Sequence, residues 1–342
     1  MQFPLSNERA EKIAQGLAGL VDVESGPSDE QRDVLQAFSS HLLCLKTNQI
    51  AELKPLCADQ IATSISDQGD RRIFMQMAIM LELCRHPPSE EQLKELETYA
   101  AALKFDGPQL QAVRDLAHKS SAQATKDFLR VYDDSMPQLT EPQFRKDGGR
   151  PSNKDSLWQQ LRDFATLPKS SLGREFFEFY QRNELDLPSH TTPNPGYYVA
   201  HDMNHVIAGY EPTGPGEIAL GAFKLMMNNN EANWMGSMVN FLIHEVGLFK
   251  HAKKLQFVPY GGGGEPYHGI DGARGALTMD GATELIAESF VRGASCTADF
   301  AEMDHMANAH RPLADIRREF HVIPLVRSMN PQESPSLWPS FD

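Results

Sequence analysis

Positive charge is the first thing this sequence lacks: 32 Lys and Arg stand against 46 Asp and Glu, a formal net charge of −14 over 342 residues. That sign argues against non-specific binding to nucleic-acid phosphates or bare anionic lipid, since both need a cationic face. Cysteine is scarce. Cys44, Cys57, Cys84 and Cys296 include no CxxC pair, and the first three fall in segments that read as apolar helix faces, so reduced core thiols of a cytoplasmic protein are expected. No uninterrupted apolar stretch approaches the roughly 18 residues of a membrane span, and the first nine residues lack a basic segment followed by an apolar run. A soluble chain is expected, at most peripheral to a membrane. Missing too, from Glu8 to Val131, is the alternation of β-branched residues that marks strands.

What is present is helical. Apolar residues recur at three and four positions through the first 131 residues, which predicts six or seven short helices. A faint repeat runs inside this region: Pro27-Ser-Asp-Glu-Gln31 returns as Pro88-Ser-Glu-Glu-Gln92, with Leu35 matched by Leu96 and Phe38 by Tyr99. Both copies make sense as helix starts, because Ser28 and Ser89 are N-cap types, Gln31 and Gln92 complete a capping box, and the acidic pairs between them suit the helix dipole. These paired turns resemble those of the TerB-like domains, over about residues 11–117. In that family acidic turns gather a metal, but the turns here read Asp22-Val-Glu24-Ser-Gly and Cys84-Arg-His-Pro-Pro. The second has no carboxylate before its cap, so the acidic groups Asp22, Glu24, Asp29 and Glu30 are expected to be a solvated face and this half a docking module.

Between Asp133 and Lys154 periodicity gives way to Pro137, Pro142, Gly148, Gly149 and Pro151. This places a linker at 133–155, between a helical domain at 1–132 and a second at 156–330, with a loose tail at 331–342. The fold class is all-α. In the second domain helices are expected at 156–166 and 174–182, the latter started by Ser171, then over 199–208, 217–227, 231–254 and 283–308, with a short one from Pro312. Phe176, Phe177 and Tyr180 give one aromatic face, and Met226, Met235 and Met238 a flexible apolar one. Such side chains most often fill core, but they are also the candidates for lining a lipid groove. The glycines of 260–281 have neither the Lys-Ser pair of a phosphate loop nor the strand-to-helix context of a dinucleotide loop, and read as a mobile loop or lid.

Histidine chemistry concentrates in one place. His244-Glu245 lacks the zincin's second histidine, since position 248 is Leu; His244 with His251, His268 with Asp271, and Asp304 with His305 are isolated pairs, more often satisfied than functional. His201-Asp-Met-Asn-His205 is different: on a helix the two histidines share a face and Asp202 lies about 100° round beside them. After eleven residues, and a Gly/Pro-rich reversal, Glu217 opens the next helix. Spacing alone leaves two readings: a divalent-metal centre, or histidines hydrogen-bonded in a polar helix pair with Asp202 and Glu217 as caps.

The stretch from His201 through Pro212-Thr to Gly216-Glu-Ile-Ala-Leu220 resembles the signature of the coenzyme Q biosynthesis family called Coq-four: His-Asp-x-x-His, eleven residues, Glu. Leu167-Pro-x-x-Ser-Leu-Gly173 and Pro312-Leu-x-x-Ile-Arg317 extend the resemblance to about residues 156–324. It implies a helical protein whose His201, Asp202, His205 and Glu217 hold a divalent metal, zinc first and Mg, Fe or Mn as alternatives, beside an apolar groove for a polyprenyl aromatic lipid. The implied activity is oxidative decarboxylation of a prenylated hydroxybenzoate-type precursor, replacing the ring carboxylate with a hydroxyl. The alternative it implies is a non-catalytic lipid-binding scaffold for other quinone-biosynthesis proteins, recruited through the N-terminal domain, with peripheral membrane contact and a homodimer allowed for. A third reading, a stress-response module, would rest on the TerB-like half.

Overall fold

The computed structural model of the chain describes residues 5–85, 89–118, 136–147, 154–189, 191–192, 194–246 and 275–341. Helices and turns make up all of it: no strand occurs among the described residues, where an isolated bridge links Ser171 and Pro312. The chain is all-α, as expected.

The first half contains α1 (Asn7–Val21), α2 (Asp29–Ala37), a π turn (Phe38–Leu42), α3 (Thr47–Ala51), α4 (Ala58–Ser64), α5 (Gln68–Leu83), α6 (Glu90–Leu103) and α7 (Pro108–His118). Ser28 and Gln31 close the capping box that starts α2, each accepting from the other's backbone N–H at 3.2 and 3.0 Å. Ser89 caps α6 through the Gln92 N–H, but the Gln92 side chain does not complete a box. It turns inward, accepting from Gln31 Nε2 at 3.0 Å and donating to Glu82 at 2.6 Å. The two copies of the repeat therefore meet through their glutamines. Glu24 joins them at the rim by pairing with Arg85 and accepting from Ser89, which ties this acidic turn into the fold instead of leaving it solely to water.

Cys84 and Cys296 are buried, but Cys44 and Cys57 are exposed. Cys44 takes a left-handed conformation (φ 55°) just past the π turn, and Cys57 occupies the N-cap of α4, so neither lies on the continuous helix face expected of it.

Within the stretch read as a linker, residues 136–147 are packed: Met136 and Leu139 lie against one apolar core and Phe144 against another. Residues 133–135 and 148–153 lie outside the described residues. The second half contains α8 (Lys154–Asp163), α9 (Leu172–Arg182), α10 (Pro195–Ala208), α11 (Gly214–Met227), α12 (Glu231–Asn240), α13 (Ala282–Ser295), α14 (His305–Asn308) and α15 (Leu313–Glu319). Helix α12 runs on as a π turn, Phe241–Glu245; the rest of the helix expected to 254, His251, and the glycine-rich residues 260–274 lie outside the described residues. The helix expected over 283–308 stops at Ser295. Asp299 and Asp304 then cap separate short turns, accepting from the Ala301 and Ala307 N–H groups, so the chain restarts twice.

Two apolar cores result. One joins α1, α2 and α4 to α7 to Ile218, Trp234 and Phe290 of the second half, with the Phe38 and Phe290 rings 5.9 Å apart. The other gathers Leu161, Phe176, Phe179, Met203 and Ile207 around Leu220, Phe223, Phe300 and Leu313. Helix α11 contributes to both, which explains why its sequence is apolar or small almost all round. Gly293 of α13 makes that crossing close, since a Cβ there would stand 2.1 Å from the Phe223 carbonyl oxygen. The end of the chain is not loose either: Leu337 is buried, and Trp338 covers Gly209 and stacks on Arg317 at 3.4 Å.

Candidate metal centre

Helix α10 is set at both ends. Asn194 caps it through the Tyr197 N–H with Pro195 in the first turn, and Gly209 closes it in the left-handed conformation. The chain reverses within four residues. Thr213 caps α11 through the Gly216 N–H, and at Gly216 a Cβ would lie 2.1 Å from the Glu211 carbonyl oxygen, so the reversal requires glycine. Glu217 falls in the first turn of α11, aimed back at α10.

There the ligand atoms converge. His201 Nε2 lies 3.3 Å from one Glu217 oxygen and His205 Nε2 3.2 Å from the other. One donor atom from each of the three residues lies within 4.8 Å of the others. His205 Nε2 is buried and makes no hydrogen bond. Each imidazole is held from behind: His205 Nδ1 faces the Tyr210 carbonyl at 3.1 Å, with its ring stacked on Phe179, and His201 Nδ1 faces Asp202 at 2.9 Å.

Asp202 thus stands one step behind the converging atoms. Its second oxygen accepts from the buried Tyr180 hydroxyl, so both carboxylate oxygens are engaged away from Glu217. Burial pushes the Tyr180 phenol well above its ordinary range, and Asp202 adds to that, which keeps it a proton donor. Burial pulls His201 down, but Glu217 and Asp202 outweigh it and hold the imidazolium up to about 10. Burial likewise pushes Glu217 up, and His205 with His201 reverse this, holding its carboxyl well below the usual range.

The flanking sequence motifs meet next to the site. Ser171 bridges Pro312, the Leu172 N–H donates to Arg311 and the Leu313 N–H to Ser170. Arg317, carried by that second motif, is buried and donates to the Val206 and Ile207 carbonyls at the end of α10, while Arg292 donates to that of Ala208. Two cations therefore satisfy the last carbonyls of the helix that bears both histidines.

The six lipid-groove candidates divide. Phe176, Phe177 and Tyr180 belong with the core around α9, whereas Met226, Met235 and Met238 belong with the other. Five of them are buried and Phe177 is partly so, which makes the bland reading of those stripes, core packing, the one their placement matches. Two histidines set aside in the sequence are buried. His244, on the π turn, is held down to about 4, mainly by burial, and feels the charges of Glu217, His201 and His205. His305 is fully buried with Glu141, 164 positions away, at 2.6 Å. Local spacing carried no signal for either.

Two imidazoles and a carboxylate, converging at a buried nitrogen that makes no hydrogen bond, are the donor set of a borderline divalent cation. No family model and no curated protein matches this sequence. Among solved structures, the chain is similar to a protein of Nostoc punctiforme assigned provisionally to ubiquinone biosynthesis: 15% identity, TM-score 0.32, covering 74% of this chain and 98% of that one. At that score the likeness establishes no shared architecture.

Proposed function

We propose that this chain is a Coq-four-like protein that uses a divalent metal, zinc by preference, in the oxidative decarboxylation of a prenylated aromatic carboxylate, the ring carboxylate leaving as CO2 and a hydroxyl taking its place with dioxygen as the external oxidant, since zinc itself supplies no electrons. The observation that supports it is the convergence of His201 Nε2, His205 Nε2 and the Glu217 carboxylate, within the segment that resembles the family signature. A bound divalent ion would supply Lewis acidity toward the carboxylate or phenolic oxygen of the substrate. The chain's own residues do the rest. The Tyr210 carbonyl fixes His205 with Nε2 forward, and Tyr180 through Asp202 fixes His201 likewise, so that the ligands need no rearrangement. Arg317 and Arg292 anchor the end of α10 against the shift that charge at the site would otherwise cause.

A second reading is favoured by the way Glu217 faces both His201 and His205 across the reversal: a lipid-binding scaffold in which the metal pins α10 to α11 and the first half recruits partners. Among the described residues no helix is long and apolar enough to cross a membrane, so contact with lipid would be peripheral in either case. Metal analysis of the purified protein together with mass spectrometry of co-purifying lipids tests both readings. A stoichiometric divalent ion with a prenylated aromatic acid is expected, and absence of any divalent ion overturns both. Glu217→Ala separates them, because conversion of the acid to the hydroxylated product must be lost with the metal if the chain is an enzyme.

A further inference from the structure

A cavity of about 370 Å³ opens beside the site, lined by Gln138, Arg145, Lys224, Asn230, Asp299 and Glu302 among others. Its continuation, of about 20 Å³, is lined by Leu139, Lys224 and Asn233, which also line the cavity, and reaches His201 and Tyr197. The two spaces share these three residues and together lead toward His201, and Lys224 stands at the junction. Glu217, Gly221 and Lys224 follow one face of α11, about 10 Å from first to last.

The charges around this junction are unevenly matched. Arg145 is consumed by a two-bonded pair with Glu302, and Asp299 accepts from Asn228 and from the Ala301 N–H. No described carboxylate lies within ion-pair distance of the Lys224 ammonium, although Asp299 and Glu302 offset part of the cost of its burial. The start of α12, at Asn230 to Asn233, adds the positive end of a helix dipole to the same wall. A cavity of mixed polar and apolar lining, with a cation that has no ion-pair partner among the described residues and a helix N-terminus in its wall, is suited to an anion on a small apolar body.

We propose that this cavity binds a small organic carboxylate through Lys224, at the mouth of the path to His201. The cavity's volume and its mixed lining suit a compact ring acid. The proposal goes beyond the reaction inferred above and does not depend on it.

Calorimetric titration of the full chain with sodium benzoate and with benzamide, the same ring without the charge, tests it. Saturable benzoate binding is expected, with benzamide about tenfold weaker or more. Lys224→Gln should lower benzoate to the level of benzamide without changing bound metal, and Gln138→Glu, at the exposed rim, should weaken it several-fold by repulsion. Equal affinity for benzoate and benzamide, no saturable benzoate binding, or benzoate affinity unchanged in Lys224→Gln would each overturn the proposal; the last would place the benzoate on the metal instead. Should the protein hold no metal and still require Lys224 for benzoate, the function proposed above fails and this site stands.

Discussion

Two buried polar clusters occupy this molecule, and they are built on opposite terms. Around Gln31 and Gln92 every group finds a partner: Gln31 Nε2 donates to Gln92 and to the Leu81 carbonyl, its Oε1 accepts from Ser28, and Gln92 Nε2 donates to Glu82. Around His201, His205 and Glu217 the supporting nitrogens are satisfied, while His205 Nε2, facing the centre, makes no hydrogen bond. A closed network fixes how two elements sit together. One left open at its middle stores the capacity to bind something there.

Removing a centre-facing ligand is the most direct way to break the comparison. His205→Ala or Glu217→Ala should reduce bound divalent metal from stoichiometric to background by elemental analysis, and should abolish the stabilisation, about 2.7 kcal/mol at a hundredfold excess over Kd, that metal gives the parent protein. The same change in the closed network, Gln92→Ala, should leave metal content untouched and cost about 2 to 3 kcal/mol in urea unfolding, because the Gln31 amide and Glu82 lose their partner.

Glu82 sharpens the contrast through pH. Burial raises its carboxyl to about 7, outweighing the Gln92 hydrogen bond and Arg85, so the folded protein holds the proton more tightly than the unfolded chain. The group therefore contributes stability below its ordinary value near 4.5 that is lost as pH rises to about 7, on the order of 3 kcal/mol in all. Glu82→Gln should flatten that loss, seen as a smaller difference between unfolding free energies at pH 5 and pH 8; an unchanged difference would assign the dependence elsewhere. The smallest effect is expected at the edge of the open cluster. Asp202→Asn should keep stoichiometric metal and weaken its affinity about 10- to 100-fold, as for a residue that orients His201. Complete loss of metal would instead make Asp202 a direct ligand.

Much of the candidate site was legible because it is local. His201 and His205 are one helical turn apart, Thr213 and Gly216 specify the reversal, and Ser28, Ser89 and Ser171 each cap the helix they announce. His201, His205 and Glu217 lie within 17 residues, so helix periodicity is enough to bring them together. What stayed hidden depends on distant chain. The two phenylalanines and Tyr180 separate from the three methionines because α11 faces two cores at once, and Arg317 reaches the end of α10 from 110 positions away. The side chain of Asp202 faces His201 and Tyr180 for a subtler reason. Its position beside the histidines admits either role, and only Tyr180, 22 positions back, decides which way its carboxylate turns.

The short span between His201 and Glu217 also has a consequence for how the protein is made. Closing a segment of 16 residues costs about 2.5 kcal/mol of chain entropy beyond a constant, and the ends of the two helices that face the reversal, Gly209 closing α10 and Thr213 capping α11, lower it further. The hairpin of α10 and α11 can therefore bring His201, His205 and Glu217 together early in synthesis, before α13 and α15 exist to brace it. An ion captured at that moment would serve as a seed around which the later helices assemble.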